Sequence, residues 1–209
     1  MNLNNLKTFE KTAMLLRILC YTVSIYHVKG VSFLTFPICC LKQPPQFDTL
    51  PIAKIIHYPL EQRDYKPFAQ GILALYQNTL YLRLWAFETP PEPESRITAC
   101  LYLPNLLYVQ AAPDAHTLLW NGVPLPPDSY TCHPFTGDDL QGKYWGALFA
   151  VPLSELPGAV LPAPIGRIPG NLYKSSSGSR PHIGSFFPML NPETPYTETN
   201  MGQFTLMEF

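Results

Sequence analysis

Residues 170–188, GNLYKSSSGSRPHIGSFFP, gather the side chains best suited to chemistry. Lys174, Arg180 and His182 surround a Ser/Gly run, with Asn171 and Tyr173 just upstream. A phosphate-binding loop needs G-x-x-x-x-G-K-[ST] leading into a helix. KSSSGSR instead places its lysine before the run and Pro181 behind it, which argues against that chemistry. A serine hydrolase would pair His182 with a serine of 175–179 and with Asp138 or Asp139. There is no G-x-S-x-G elbow, however, and closeness in sequence does not put an imidazole on a hydroxyl. The five histidines are scattered without an H-x-x-x-H pair, so no metal ligands are expected. Glycoside hydrolysis asks for two carboxylates about 5–10 Å apart. Nothing in the spacing selects such a pair from Glu88, Glu92, Glu94, Asp138, Asp139 and Glu155. No catalytic residue and no cofactor is therefore assigned.

Carbohydrate recognition without catalysis asks for less. Sugar rings stack their C–H faces on aromatic rings, and their hydroxyls take planar polar partners. In TLYLRLWAFE (79–88), Tyr81, Arg83 and Trp85 share one face of a period-two pattern, opposite Leu80, Leu82, Leu84 and Ala86. Trp120 beside Asn121, and Trp145 after Tyr144, offer further platforms. A tryptophan in a two-sheet protein is also a common core residue.

The elements that must hold these residues are strands. The 24 prolines are hard to place inside helices or central strands, and they punctuate short elements. Strands are expected at ILALY, TLYLRLWAFE, RITACLYL (96–103), HTLLW, YWGALFAVPL (144–153), NLYK, HIGSFFP and GQFTLMEF. Gln77-Asn78 and Asn121-Gly122 mark tight turns. A 46% hydrophobic, 14% charged chain of 209 residues can bury one sizeable core. A net charge of −1 gives no electrostatic reason to bind nucleic acid or anionic membrane. The five cysteines lack a C-x-x-C spacing, so they read as free thiols.

Of the prolines only Pro37, and of the glycines only Gly30, precede residue 44. Leu6, Phe9, Ala13, Leu16, Cys20 and Val23 follow helical spacing. The apolar run at 18–26 is too short to span a bilayer, and no A-x-A-like cleavage site follows it. The expected fold class is thus an all-β antiparallel sandwich over 46–209, with a peripheral, helical N-terminal segment over 1–45. The chain reads as a cytoplasmic protein, with secretion as the alternative and no stable membrane insertion.

The segment GNLYKSSSGSRPHIGSFFP followed by GQFTLMEF resembles the closing strands of carbohydrate-binding module family 9-like domains of the single-domain bacterial type. In that family a G-N-[FL]-Y-K strand leads through a polar loop to a P-H-[FIW]-x-S-[FW]-x-P strand. LYLRLWAFE and YWGALFAVPLSEL resemble two earlier strands, so the resemblance spans about 46–209. The middle strand D-S-C-x-E-x-F of relatives is replaced by LPNLLYVQAAPDAHTLLWNG, without its carboxylate. The resemblance implies a β-sandwich and non-catalytic binding of a mono- or oligosaccharide. The expected contacts are Arg83, Trp85, Glu88, Trp120, Asn171, Tyr173 and His182. Two alternatives stay open: a glycan hydrolase using His182 with a nearby acid, and a protein-interaction sandwich with an exposed aromatic patch.

Overall fold

The computed structural model describes residues 24–28, 31–62, 68–88, 90–162 and 166–209, with side-chain environments from residue 35 onward. Among them, fourteen strands form one mixed sheet that curls on itself. In chain order these are β1 (Ser24–Val28), β2 (Val31–Cys40), β3 (Ala53–Ile55), β4 (Phe68–Tyr76), β5 (Thr79–Phe87), β6 (Arg96–Tyr102) and β7 (Leu106–Ala111). They continue with β8 (His116–Trp120), β9 (Val123–Pro124), β10 (Thr131–Asp139), β11 (Gly142–Pro152), β12 (Arg167–Ser176), β13 (His182–Ser185) and β14 (Gly202–Glu208). No helix among the described residues is long and apolar enough to cross a membrane.

Two halves face each other. One runs β10-β11-β5-β4, the other β14-β12-β6-β7-β8-β9, and β2 lies between β4 and β14. Each half turns its aliphatic positions inward. Leu82, Leu84, Ala86, Ala147 and Phe149 from one half share a core with Ala99, Leu101, Leu107, Val109, Leu172 and Phe204 from the other. The fit between halves is close at Gly71 of β4, where a Cβ would meet Leu172 Cδ1 at 2.8 Å and Leu84 Cδ2 at 2.9 Å. A glycine there lets Leu172 of the opposite half press against the backbone. A second seam closes the curl: the amides of Ile56 and His57 donate to the Ser185 carbonyl, and Ser185 N donates to His57 O.

The hairpin turns follow the sequence. Gln77 and Asn78 between β4 and β5 have φ of 46° and 63°, and Asn121 and Gly122 between β8 and β9 have 51° and 78°. Left-handed backbone at both central positions matches the twist of the flanking strands. The all-β sandwich is present as expected, with one departure: β2 runs parallel to both β4 and β14.

That strand also corrects the domain boundary. Of the helical, peripheral segment expected over 1–45, residues 1–23 lie outside the described residues, whereas 24–28 and 31–40 are strands, and Phe36, Ile38 and Cys39 of β2 are buried in the middle of the fold. The division at 45/46 therefore cuts through the sandwich. Over 31–40 the scarcity of proline suits a strand that is hydrogen-bonded to neighbours on both sides. Pro37 itself has no N–H to give, and the β2–β4 ladder begins only beyond it, at Cys39 and Cys40.

Candidate functional site

The outer face of the β10-β11-β5-β4 half carries the residues that alternate with the leucines of β5. Across it the ladder sets Phe135 opposite Gly146 and Gly146 opposite Trp85. A Cβ on Gly146 would lie 2.6 Å from the Trp85 Cβ, so the glycine leaves the space between the two aromatics open. The chain at 41–52 crosses this face and packs Phe47, Leu50 and Ile52 against it. Trp85 is consequently only 6% exposed.

Arg83 sits in the resulting frame. Its guanidinium carbon lies 5.2 Å from the Trp85 ring centroid, 5.3 Å from Phe135 and 5.9 Å from Phe47. Such cation–π contacts contribute about 0.5–1 kcal/mol each at exposed sites and hold a flexible side chain in place. Nη1 donates to Asp48 Oδ1 at 3.0 Å, its only hydrogen bond among the described residues. The Arg83 side chain is 25% exposed and that of Asp48 94%. The other guanidinium N–H groups and the second Asp48 oxygen are thus a matched set of donors and acceptor beside the half-exposed rings of Phe135, Phe47 and Tyr81.

A second polar cluster lies at the core's edge and is closed. Lys174 is fully buried, because β12 alternation puts it on the inner face with Leu172. Its ammonium donates to Glu88 Oε1 at 2.9 Å, Ser95 Oγ at 2.6 Å and His182 Nε2 at 3.1 Å. Glu88 Oε2 accepts from Ser95 Oγ at 2.6 Å and from Trp145 Nε1 at 3.0 Å. Burial pushes the Glu88 carboxyl up, but the Lys174 charge and the hydrogen bonds from Ser95, Lys174 and Trp145 outweigh it, and the pKa lies below the ordinary carboxylate value. Burial pulls the Lys174 ammonium down, against the opposing pull of Glu88 and Glu92. The Ser-rich loop is tied to this region: Ser176 Oγ donates to Glu92 Oε2 at 2.7 Å, and Ser179 Oγ donates to Glu92 Oε1. Those two serines therefore anchor the β12–β13 connection.

The expected contacts divide accordingly. Arg83 is on the open face. Trp85 belongs to that face too, but the 41–52 crossing and the Arg83 guanidinium cover its ring, so it frames the site instead of offering a free platform. Trp120 is 7% exposed in the core and donates to Pro157 O at 3.1 Å. Asn171 is fully buried; its amide donates to Phe187 O and Asn200 O, and its Oδ1 accepts from Leu172 N and Phe187 N. Three of these four bonds pin Phe187 and Asn200 against β12, and the fourth stays within the strand. Tyr173 is buried under the same segment, edge-on to Tyr196. Burial corrects the expectation of ligand contact at Trp120, Asn171 and Tyr173. Glu88 and His182 belong to the closed cluster; the His182 ring nitrogens lie 3.1 Å from Lys174 Nζ and 2.8 Å from Arg180 O.

Sequence reasoning missed Asp48, Phe47 and Phe135. Asp48 is 35 positions from Arg83 and carries no motif. Phe135 lies on β10, whose Pro134 obscured a strand that proves to be an edge, pairing with β11 alone. TCHPFTGDD carries no period-two apolar alternation, so local pattern offered no signal for this strand.

No family model and no curated protein matches the chain. Solved structures do. A candidate carbohydrate-binding protein from Bacteroides uniformis superposes with a TM-score of 0.60 at 11% identity, covering 77% of this chain and 88% of that one. A carbohydrate binding module family 9 from Caldicellulosiruptor kristjanssonii in complex with glucose gives 0.57 at 11% identity, covering 83% and 96%. The module from that organism in complex with cellotriose gives 0.55 at 11% identity, covering 83% and 94%.

Proposed function

We propose that this domain, which has the fold of carbohydrate-binding module family 9, binds a mono- or oligosaccharide without acting on it chemically, at the Arg83 face. One observation carries the reading: an arginine is held among the rings of Trp85, Phe135 and Phe47, with unused donors beside an exposed carboxylate. Adjacent sugar hydroxyls each donate and accept, so a diol can accept from the guanidinium while donating to Asp48. Tyr81 and Phe135 supply half-exposed rings for the C–H face. The likeness to folds solved with glucose and cellotriose supports the ligand class. The alternative of a hydrolase built on His182 gains no support, since His182 is engaged by Lys174 and by the Arg180 carbonyl.

Titration calorimetry with glucose and cello-oligosaccharides tests this. Saturable binding is expected in the wild type and a loss of about thirtyfold or more in Arg83→Ala, the effect typical of a central arginine contact. Stability should fall by about 1–3 kcal/mol, because Arg83→Ala also loses three cation–π contacts, so binding is compared well below the variant's melting transition. An array of neutral and acidic glycans that gives no signal overturns the reading.

A further inference from the structure

We infer that Asp48 makes the Arg83 face selective for uncharged saccharides over acidic ones; this rests on the sugar-binding reading of the same face. An unpaired guanidinium in an aromatic frame would be a trap for carboxylates, because its planar fork matches two carboxylate oxygens at once. A uronic acid or other acidic sugar would then be the preferred ligand. The structure prevents this by placing a second carboxylate at the site.

Asp48 is fixed from below and free above. It sits in the 3-10 turn Phe47–Thr49, closed by Leu50 N donating to Phe47 O at 3.1 Å and by Thr49 Oγ1 donating to Gln46 O at 2.8 Å. Phe47 on one side of it lies 6.3 Å from the Tyr81 ring, and Leu50 is buried in the cluster beneath. The backbone at Asp48 is thus anchored to the same face that holds Arg83. Its carboxylate nevertheless projects into water at 94% exposure while bonding Nη1 at 3.0 Å.

The pair presents no net charge, and its outermost atom is an anionic acceptor. An acidic sugar reaching for the guanidinium must bring its carboxylate within a few ångströms of Asp48, and that repulsion opposes the gain from Arg83. A neutral diol meets no such opposition, because it supplies a hydroxyl donor to the second Asp48 oxygen and a lone pair to the guanidinium. Asp48 is therefore a specificity-determining residue: it contributes one hydrogen bond to a neutral ligand and rejects a charged one.

Asp48→Asn keeps the shape and removes the charge. Calorimetry compares cellobiose with glucuronate and a digalacturonate for the wild type and this variant, after their melting temperatures are shown to agree. Wild type should bind cellobiose at least about tenfold more tightly than either uronate. Asp48→Asn should lose no more than a few-fold for cellobiose and gain about tenfold for the uronates, with the gained binding weakened by added salt. Uronate binding by the wild type equal to cellobiose binding overturns the inference and leaves the sugar-binding reading standing. So does an Asp48→Asn protein that still binds cellobiose and gains nothing for uronates. If neither protein binds any of these sugars, both fall together.

Discussion

Two ion pairs of nearly equal length do opposite jobs in this molecule. Lys174 and Glu88 meet at 2.9 Å with side chains 0% and 12% exposed; Arg83 and Asp48 meet at 3.0 Å with 25% and 94%. The first pair is enclosed, and its remaining valences are filled by Ser95, Trp145 and His182. The second is open, and most of its valences point at water. Distance alone would rank them together. Satisfaction ranks them apart: a pair with every donor and acceptor used internally can only hold the fold, while a pair with donors to spare can hold something else.

The contrast is sharpest when one partner is removed. Lys174→Met should destabilise the fold by about 3–5 kcal/mol, since it leaves the Glu88 carboxylate buried without its counter-charge. Urea unfolding measures this, and adding Glu88→Gln should recover part of the loss. A Lys174→Met protein as stable as the wild type would show that the two pairs are alike after all.

A second difference lies in acid. Because the folded Glu88 pKa is held below its ordinary value, the unfolded chain takes up the proton first as pH falls. The contribution of Glu88 is therefore present above about pH 4.5 and is lost on further acidification through the folded pKa. Melting temperature followed from pH 6 to pH 3 should fall less steeply in Glu88→Gln than in the wild type. Parallel curves would remove Glu88 from the acid response.

The smallest effect concerns a buried hydroxyl outside both pairs, at the seam with His57. Ser185 Oγ is the one buried side-chain nitrogen or oxygen among the described residues that has no hydrogen-bond partner. Removing it in Ser185→Ala should leave stability unchanged or raise it by up to about 1 kcal/mol, because an unmet hydroxyl loses its solvation without return. A clear loss in urea unfolding would show that Oγ is used.

Much of the scaffold was legible because local chemistry dictates it. The Leu80, Leu82, Leu84 alternation gave β5 and its inner face, Asn121-Gly122 gave the β8–β9 turn, and β12 alternation correctly set Asn171 with Tyr173 and Leu172 with Lys174. What burial does to outward-facing residues was not legible. Period two says that Tyr81, Arg83 and Trp85 share a face; it cannot say that residues 41–52 cross it and cover the indole. Polar residues were misjudged for the same reason. Asn171 looks like a ligand contact in sequence, and only the placement of residues 186–201 over it shows where three of its four hydrogen bonds go. The open pair was half visible, because Asp48 reaches Arg83 only through the crossing of a separate segment.

The central position of β2 carries a consequence for how this protein can be handled. A form beginning at residue 46 would leave β4 and β14 each with a bare margin where β2 now sits. Both margins would offer rows of amides and carbonyls to any neighbouring molecule, which is the usual route to aggregation through strand edges. Trimming to the apparent domain would remove the keystone, and solubility is the property that would suffer first.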